Sequence, residues 1–290
     1  MSGQEFNTPS FFARAMGVLR SRRLKRFTGT DLTVIERKVT DYYASHSGEA
    51  YYARLAEQRL WDDMVRHKHF ERHCEAAQEI LDFGCGAGGL SVALSQHYPE
   101  KHIHALDIGA HAAALIVQSQ AKVDFKQGSV LDAPLADSSI DMLISRFVIE
   151  HTIHPEKLIA EAHRVLRPNG IIYLLYPQLL LKVTPGTALL EFFSWFLTPN
   201  RLTFLDPQIG DTTSDADDQD AVWLTNPVKI TRLLKNNGFQ IVSNVPSQSL
   251  VIARKRALQT NNGINKHVGS ARRTRSAQSF IESIASPCHS

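Results

Sequence analysis

Apolar residues are arranged in two ways along the chain: in short continuous runs and in longer stretches with a helical period. Continuous runs are typical of strands buried on both faces of a parallel sheet, and the longer stretches are typical of helices that cover it. The two patterns alternate from residue 79 to residue 176, which predicts an α/β protein with a parallel sheet covered on both faces. The apolar runs begin at Ile80, Ile103, Val123, Ile140 and Ile171.

The regular alternation stops after the fifth run. Residues 179–222 contain a dense apolar group from Leu189 to Leu197 and an acidic loop from Asp211 to Asp220. We therefore interpret this region as an insertion after the fifth strand. One further helix and two further strands are then predicted, over Pro227–Asn237, Phe239–Val242 and Leu250–Ala253.

The composition divides the chain into four parts. Residues 1–30 form a basic N-terminal arm, in which Phe11 to Phe27 fits a short amphipathic helix or a solvated arm. Residues 31–76 have a helical pattern and are predicted to form a cap, with aromatic residues that either close over a ligand or pack the helices. Residues 77–254 form the α/β domain with its insertion. Residues 255–290 are polar and basic, with few apolar side chains, and are predicted to be disordered.

The net charge of +3 is unevenly distributed. Residues 1–28 carry +5 and residues 254–290 carry +6, so the body between them carries −8. An acidic body argues against binding of nucleic acid by the folded core. The basic ends are suited to peripheral contact with a membrane surface or another anionic partner.

Cysteine usage favours a reducing compartment, and we expect a cytoplasmic location. Cys74, Cys85 and Cys288 lie far apart and show no metal-ligand spacing, so no metal site is predicted. No apolar run reaches the roughly 20 residues of a membrane span. The arginine-rich start is not followed by the apolar core of a signal peptide, although it faintly resembles a mitochondrial transit peptide.

The most informative stretch runs from Glu79 to Ser91 and reads as strand, glycine-rich turn and helix start. The end of a strand beside the start of a helix is where open α/β sheets bind ligands. The spacing of Gly84, Gly86 and Gly89 fits a dinucleotide site. However, Asp82 would then face a pyrophosphate, with a repulsion on the order of several kcal/mol in a partly dry site. A ligand with an ammonium group and no phosphate, such as S-adenosylmethionine, would instead be attracted.

From residue 79 to residue 177 the sequence resembles class I S-adenosylmethionine-dependent methyltransferases, of the small-molecule branch known as type 11. The first block is Asp82–Gly88, with Asp107 at the end of the next strand. Residues 128–141 resemble the loop on the adenine side and the start of the fourth strand. Ser145–His151 and Val165–Gly170 complete the pattern, and Asn226–Lys255 resembles the family's final helix and antiparallel hairpin.

The resemblance implies a Rossmann-like, doubly wound, seven-stranded, mostly parallel sheet with an antiparallel last strand, an N-terminal helical cap and a lid at 179–222. It also implies S-adenosyl-L-methionine as the cofactor, with Asp107 at the ribose hydroxyls. The family commonly has an acid after the glycine equivalent to Gly128, where this chain has Ser129, so adenine recognition falls to that hydroxyl or to the backbone of Val130. The implied cofactor-binding residues are Asp82, Gly84, Gly86, Asp107, Ile108, Ser129, Val130 and Ser145.

His151 is the candidate general base. It follows the fourth strand at the edge of the sheet where the ligand is expected, and a neutral imidazole is suited to removing a hydroxyl proton. Alternatively, Glu150 and His151 cap the following helix or hold the loop. Tyr42, Tyr43 and His46, in the predicted cap, are weaker candidates.

The predicted activity is methyl transfer to a small acceptor, with O-methylation favoured. The apolar group at Leu189–Leu197 is consistent with a hydrophobic, lipid-like acceptor or with a buried helix. The aspartates from Asp211 to Asp220 fit a metal site or, more simply, a solvated loop. Two other classes stay open: a nicotinamide-dependent oxidoreductase, and a non-catalytic protein that keeps the fold for interaction.

Overall fold

A computed structural model of the protein describes residues 29–45, 57–67, 69–177 and 220–257, together with residues 202, 204, 205 and 207. These residues form one seven-stranded sheet with helices around it. The strands are β1 (Glu79–Phe83), β2 (His102–Asp107), β3 (Val123–Gln127), β4 (Ile140–Arg146), β5 (Leu166–Leu175), β6 (Phe239–Val245) and β7 (Leu250–Lys255). The helices are α1 (Gly29–Ser45), α2 (Glu57–Val65), α3 (Phe70–Ala76), α4 (Gly89–His97), α5 (His111–Gln118), α6 (Pro155–Val165) and α7 (Pro227–Asn236).

The order of the strands across the sheet is β3-β2-β1-β4-β5-β7-β6. Strands β1 to β5 are parallel to one another, and β7 runs antiparallel to both β5 and β6. This confirms the predicted Rossmann-like sheet with an antiparallel last strand. The chain order reverses between β1 and β4, so the carboxyl ends of these two strands flank the crevice where such sheets bind ligands.

The residues from Arg167 to Gly170, which the sequence predicts as a turn, are counted within β5. The pairing of β5 with β4 is irregular there, because Leu166 pairs with Ile140 whereas Ile171 pairs with Met142. Pro168 has no N–H to donate to a ladder, and Asn169 has a positive φ of 68°. The turn residues therefore form a bulge inside a strand that starts earlier than the apolar pattern indicates.

Each face of the sheet is covered by its own hydrophobic cluster. On one face, Ile35 and Val39 of α1 join apolar residues of α6 and α7. On the other face, Trp61 of α2, Phe70 of α3 and Leu94 of α4 pack together over the sheet. The helices predicted as a cap thus divide between the two faces, and α2 and α3 complete a layer of the core.

Helix α7 begins as its sequence predicts. The side chain of Asn226 accepts a hydrogen bond from the backbone N–H of Lys229 over 2.9 Å, and Pro227 occupies the first helical position. An asparagine cap followed by proline is a strong start signal, because it satisfies one free N–H and sets the first φ angle. Among the described helices, none has the length and apolar character required to cross a membrane.

Candidate active site

The glycine turn between β1 and α4 is tied to the neighbouring strand. The backbone N–H groups of Gly84 and Cys85 both donate to the carbonyl of Leu106, over 2.8 and 3.0 Å. Gly84 has a φ of +88°, and a Cβ built there would lie 2.4 Å from Cγ2 of Val148. Both observations require glycine, since the conformation is left-handed and the space is already taken.

Val148 reaches the glycine turn because the chain turns sharply after β4. Phe147 has a φ of +54°, which is unusual for an aromatic residue, and its N–H donates to the carbonyl of Leu175 over 3.0 Å. Backbone strain of this kind is held in place by surrounding contacts and clusters at functional sites. Beside it, Arg146 lies 3.8 Å from Asp63 of α2 and over the ring of Phe147.

Asp82 is a buried carboxylate directly before the glycine turn. Only 2% of the residue is exposed, and its Oδ2 accepts a hydrogen bond from the hydroxyl of Ser91 over 2.7 Å. Burial raises the pKa of Asp82 to about 6, and the nearby charge of Asp107 adds to the rise, while the bond from Ser91 opposes it. The carboxylate therefore lies in a site that favours a cationic neighbour.

Asp107 joins two turns at the end of β2. Its Oδ2 accepts from the N–H of Gly86 over 2.8 Å, and its Oδ1 accepts from the N–H of Gly109 over 2.9 Å. Burial raises its pKa, and the two backbone donors oppose the rise. The register places Asp82 opposite Ala105, so both carboxylates lie near the carboxyl edge of neighbouring strands. Ile108 follows Asp107 directly and is partly exposed, and its carbonyl accepts from Gln127.

The loop after β3 contains the residues predicted to lie on the adenine side. The hydroxyl oxygen of Ser129 accepts from the N–H of Leu131 over 3.1 Å, which orients the side chain within its own loop. Val130 is partly buried against the core of α1, α6 and α7. The N–H of Gly128 donates to the carbonyl of Asp107, so this loop is fixed to the same strand end.

Arg164 of α6 holds that loop through hydrogen bonds to its backbone, a contribution that sequence reasoning missed. Its guanidinium donates to the carbonyls of Ala133 and Leu135 over 2.9 and 2.8 Å. It also contacts the carboxylates of Asp137 and Glu161, each at 2.6 Å. No local signal distinguishes this arginine from any other near the end of a helix, because its partners come from a loop some 30 positions earlier.

Ser145 lies near the end of β4 and is completely buried. Its hydroxyl has no hydrogen-bond partner among the described residues. A buried hydroxyl normally finds a partner, so Ser145 has unused hydrogen-bonding capacity among the described residues. The pairing of Ser145 with Leu174 sets it at the same edge as Asp82, which pairs with Ile144.

His151 lies in a group of polar side chains drawn from three parts of the chain. It ends a short 3-10 turn, Ile149–His151, which is separated from the end of β4 by two residues. Its Nδ1 is 3.2 Å from the hydroxyl of Tyr43, and its Nε2 is 3.6 Å from Oε1 of the buried Glu150. The hydroxyl of Tyr43 donates to Oδ2 of Asp220, which is itself 3.8 Å from Nδ1 of His151.

The structure thus brings His151 together with Tyr43, one of the two tyrosines predicted as weaker candidates. The ring of Tyr42 packs edge-on against that of Tyr43, at 5.2 Å between centroids. Asp220, which the sequence places at the end of an acidic loop, is a member of the group that sequence reasoning missed. The only available signal was its position directly before the buried run Ala221–Leu224.

Several predicted features lie outside the described residues: the basic arm, His46, the apolar group at 189–197 and the tail from 258 onward. Within the described ranges, no group of three or more histidine, cysteine or acidic side chains is arranged to hold a metal ion. The described part of the site consists of a glycine turn, the buried carboxylate of Asp82, the partly buried carboxylate of Asp107, a buried hydroxyl and the histidine group.

Comparison with known proteins shows what this part of the chain is similar to. The profile of the family described as "Methyltransferase domain" matches residues 81–174. A protein of Mycolicibacterium smegmatis named as a probable S-adenosylmethionine-dependent methyltransferase is 25% identical over 197 residues, which cover 67% of this chain and 65% of the relative. A malonyl-[acyl-carrier protein] O-methyltransferase of Methylovorus sp. is 34% identical over 106 residues, which cover 33% of this chain and 36% of the relative.

The chain spans less than two thirds of the length of these two relatives. Among solved structures, the 1,6-didemethyltoxoflavin-N1-methyltransferase of Burkholderia thailandensis, with bound 1,6-didemethyltoxoflavin and S-adenosylhomocysteine, is similar with a TM-score of 0.50. It is 18% identical, and the similarity covers 80% of this chain and 92% of that one, so it shows a shared fold. Residues 81–174 therefore match a methyltransferase domain, and the chain is similar to S-adenosylmethionine-dependent methyltransferases.

Proposed function

We propose that the protein transfers a methyl group from S-adenosylmethionine to a hydroxyl of a small acceptor. The observation that carries the proposal is the position of His151, which lies in the short turn after β4, at the edge of the sheet near which Asp82 and Asp107 lie at the ends of β1 and β2. Methyl donor and proton acceptor would then meet in one crevice.

The residues present fit the cofactor. The carboxylates of Asp82 and Asp107 suit an ammonium group and ribose hydroxyls, and burial makes both favour a cationic or donating neighbour. The glycine turn keeps side chains away from the crevice, and Ser145 supplies a buried hydroxyl. When bound, S-adenosylmethionine supplies a methyl group activated by the adjacent sulfonium.

The chain's own contribution is to hold the acceptor and to take its proton. Positioning alone is worth up to about 7–11 kcal/mol in favourable cases. A hydroxyl that gains a methyl group must lose its proton, and the imidazole of His151 is the base for it. The nearby carboxylates of Glu150 and Asp220 stabilise the imidazolium that results.

The same carboxylates favour a neutral or cationic acceptor over a carboxylic acid. A carboxylate substrate would bring a third negative charge toward Glu150 and Asp220, and it would need no base. We therefore infer a hydroxyl acceptor for this chain, in contrast to the acyl-carrier relative that is named for malonyl O-methylation. The apolar composition of residues 189–197, rich in leucine and phenylalanine, supports a hydrophobic, lipid-like acceptor.

Calorimetric titration with S-adenosylmethionine tests the proposal. We expect binding, and at least tenfold weaker binding for Asp107→Ala, because the variant loses the carboxylate that holds Gly86 and Gly109. Lys126→Ala, an exposed substitution on β3, is the matched control. If NADH binds and S-adenosylmethionine does not, the oxidoreductase alternative replaces the proposal. If neither binds, the fold serves interaction only.

The acceptor is identified by incubating the protein and labelled cofactor with a cell extract. We expect a labelled methyl ether in the small-molecule or lipid fraction, and its loss in His151→Gln, which keeps a polar side chain but removes the base. Label in a methyl ester would contradict the inferred hydroxyl acceptor.

The basic ends suggest where the protein works. We infer a cytoplasmic location, in which the free thiols of Cys74 and Cys85 stay reduced. We also infer that residues 1–28 and 254–290 contact an anionic membrane surface. Co-sedimentation with vesicles that contain phosphatidylserine tests the contact. We expect binding that weakens with added salt and with removal of residues 258–290, and no binding to neutral vesicles.

A further inference from the structure

The hydrogen bonds around His151 specify which of its nitrogens carries a proton. The hydroxyl of Tyr43 uses its only hydrogen to donate to Asp220. Its oxygen, 3.2 Å from Nδ1 of His151, is therefore left to accept. A neutral histidine beside such an oxygen carries its hydrogen on Nδ1, so Nε2 has the free electron pair.

Both partners of His151 are held on fixed supports. Tyr43 extends from α1, whose residues Ile35 and Val39 are buried in the core. Asp220 directly precedes a segment that is bonded to the His151 turn: the N–H of Val222 donates to the carbonyl of Glu150, and the indole N–H of Trp223 donates to the carbonyl of Ile149, each over 2.8 Å. The three side chains therefore meet because of the packing around them.

Glu150 does not compete for the proton on the opposite nitrogen. Its Oε1 is 3.6 Å from Nε2, which is beyond the length of a hydrogen bond. At that distance the carboxylate acts as a charge, which stabilises the ring once it has gained a second proton. Glu150 is 1% exposed, so water screens this interaction little.

We propose that Tyr43 and Asp220 are positioning residues that hold His151 in its Nδ1–H form and leave Nε2 to take the proton of the acceptor. The inference rests on the proposed function, because it assigns a task to the base of that reaction. The inferred role depends on two separate parts of the chain, α1 with Tyr43 and the segment that begins at Asp220. His151 has the required proton position only when both of these residues are in place.

The proton position is measured directly by nuclear magnetic resonance of the full-length protein labelled with ¹⁵N-histidine. Comparison with His151→Gln identifies the signals of His151 among the 13 histidines. In the neutral ring, at alkaline pH, we expect the Nδ1 signal to be of the protonated type and the Nε2 signal to be of the unprotonated type.

Two variants are expected to reverse this pattern. In Tyr43→Phe the accepting oxygen is lost, and the ring returns to the Nε2–H form that neutral histidine prefers in water. In Asp220→Ala the phenol hydrogen is released and can donate to Nδ1, which also moves the ring proton to Nε2. Tyr42→Phe, which removes the neighbouring phenol, should leave the pattern unchanged.

An Nε2–H form in the unmodified protein, or an unchanged pattern in both variants, would overturn the inference. Titration of the same samples with S-adenosylhomocysteine separates this failure from a failure of the proposed function. Cofactor binding should be retained in Tyr43→Phe and Asp220→Ala, so binding without the expected ring pattern contradicts only the positioning role.

Discussion

The hydroxyl of Ser91 donates a 2.7 Å hydrogen bond to the carboxylate of Asp82, a residue that is only 2% exposed. Ser91 lies in the first turn of α4, and Asp82 lies near the end of β1, so the bond joins the two sides of the glycine turn. A buried charge with so little hydration costs stability in the protein without its ligand.

We therefore predict that Asp82→Asn stabilises the ligand-free protein. Burial raises the pKa of Asp82 from 3.8 to about 6, so its ionised form destabilises the fold above that pH, and this cost disappears as the pH falls through 6 toward 3.8. Asparagine keeps an acceptor for Ser91 without the charge. At pH 7, denaturant unfolding should show a gain of about 1–3 kcal/mol. A loss of stability would mean that the carboxylate is already well compensated.

Cofactor affinity should depend on pH in the opposite sense. Binding of a cationic ligand favours ionised Asp82, so affinity should rise by roughly tenfold from about pH 5 to about pH 7 as the carboxylate loses its proton. Asp107, whose pKa burial also raises, acts in the same direction. Calorimetry over this range should give a flatter profile for Asp82→Asn, and an equally steep profile in the variant would exclude Asp82 as the titrating group.

Gly84→Ala should destabilise the protein and weaken cofactor binding. The new Cβ would lie 2.4 Å from Val148, and the φ of +88° at position 84 disfavours any side chain. We therefore expect the free energy of unfolding to fall by about 1–3 kcal/mol. The double variant Gly84→Ala, Val148→Ala removes the contact but not the backbone strain. It should recover part of the loss, and full recovery would show that the backbone angle costs little.

Arg164→Lys tests the support of the loop after β3. Lysine keeps the charge but cannot bond two carbonyls and two carboxylates together, so the loop loses defined contacts at Ala133 and Leu135. We expect about 1–3 kcal/mol of lost stability by denaturant unfolding and weaker binding of S-adenosylhomocysteine. Arg167→Lys is the control and should have a smaller effect, because Arg167 is more exposed than Arg164 and its ion pair is with one carboxylate, that of Asp141.

The sequence was sufficient to predict the sheet and the two carboxylates. Asp82 and Asp107 each end an apolar run, and parallel pairing brings the ends of such runs to one edge whatever the details of packing. His151 was predicted in the same way, because it lies in the loop that follows the fourth run. These residues could be predicted because their place in the local sequence pattern also determines their place in the fold.

Other parts of the site depend on tertiary contacts that no local pattern carries. The Tyr43–Asp220 hydrogen bond joins residues 177 positions apart, and an aspartate inside an acidic loop looks like any other. Helices α2 and α3 cover the face of the sheet opposite α1, although all three have a similar helical spacing. The early start of β5 depends on pairing of Leu166 with Ile140 across a bulge.

The position of β7 between β5 and β6 constrains the order in which the protein can be completed during synthesis. Within the described sheet, β6 bonds only to β7, although it leaves the ribosome first. Until residue 255 has emerged, β5 has an open edge and β6 has no strand to join, which exposes backbone groups that can pair with other chains. Strand β6 (Phe239–Val245) therefore cannot join the sheet until the six residues of β7 have been synthesised, and a chain that stops before Leu250 would be released with an unfinished sheet.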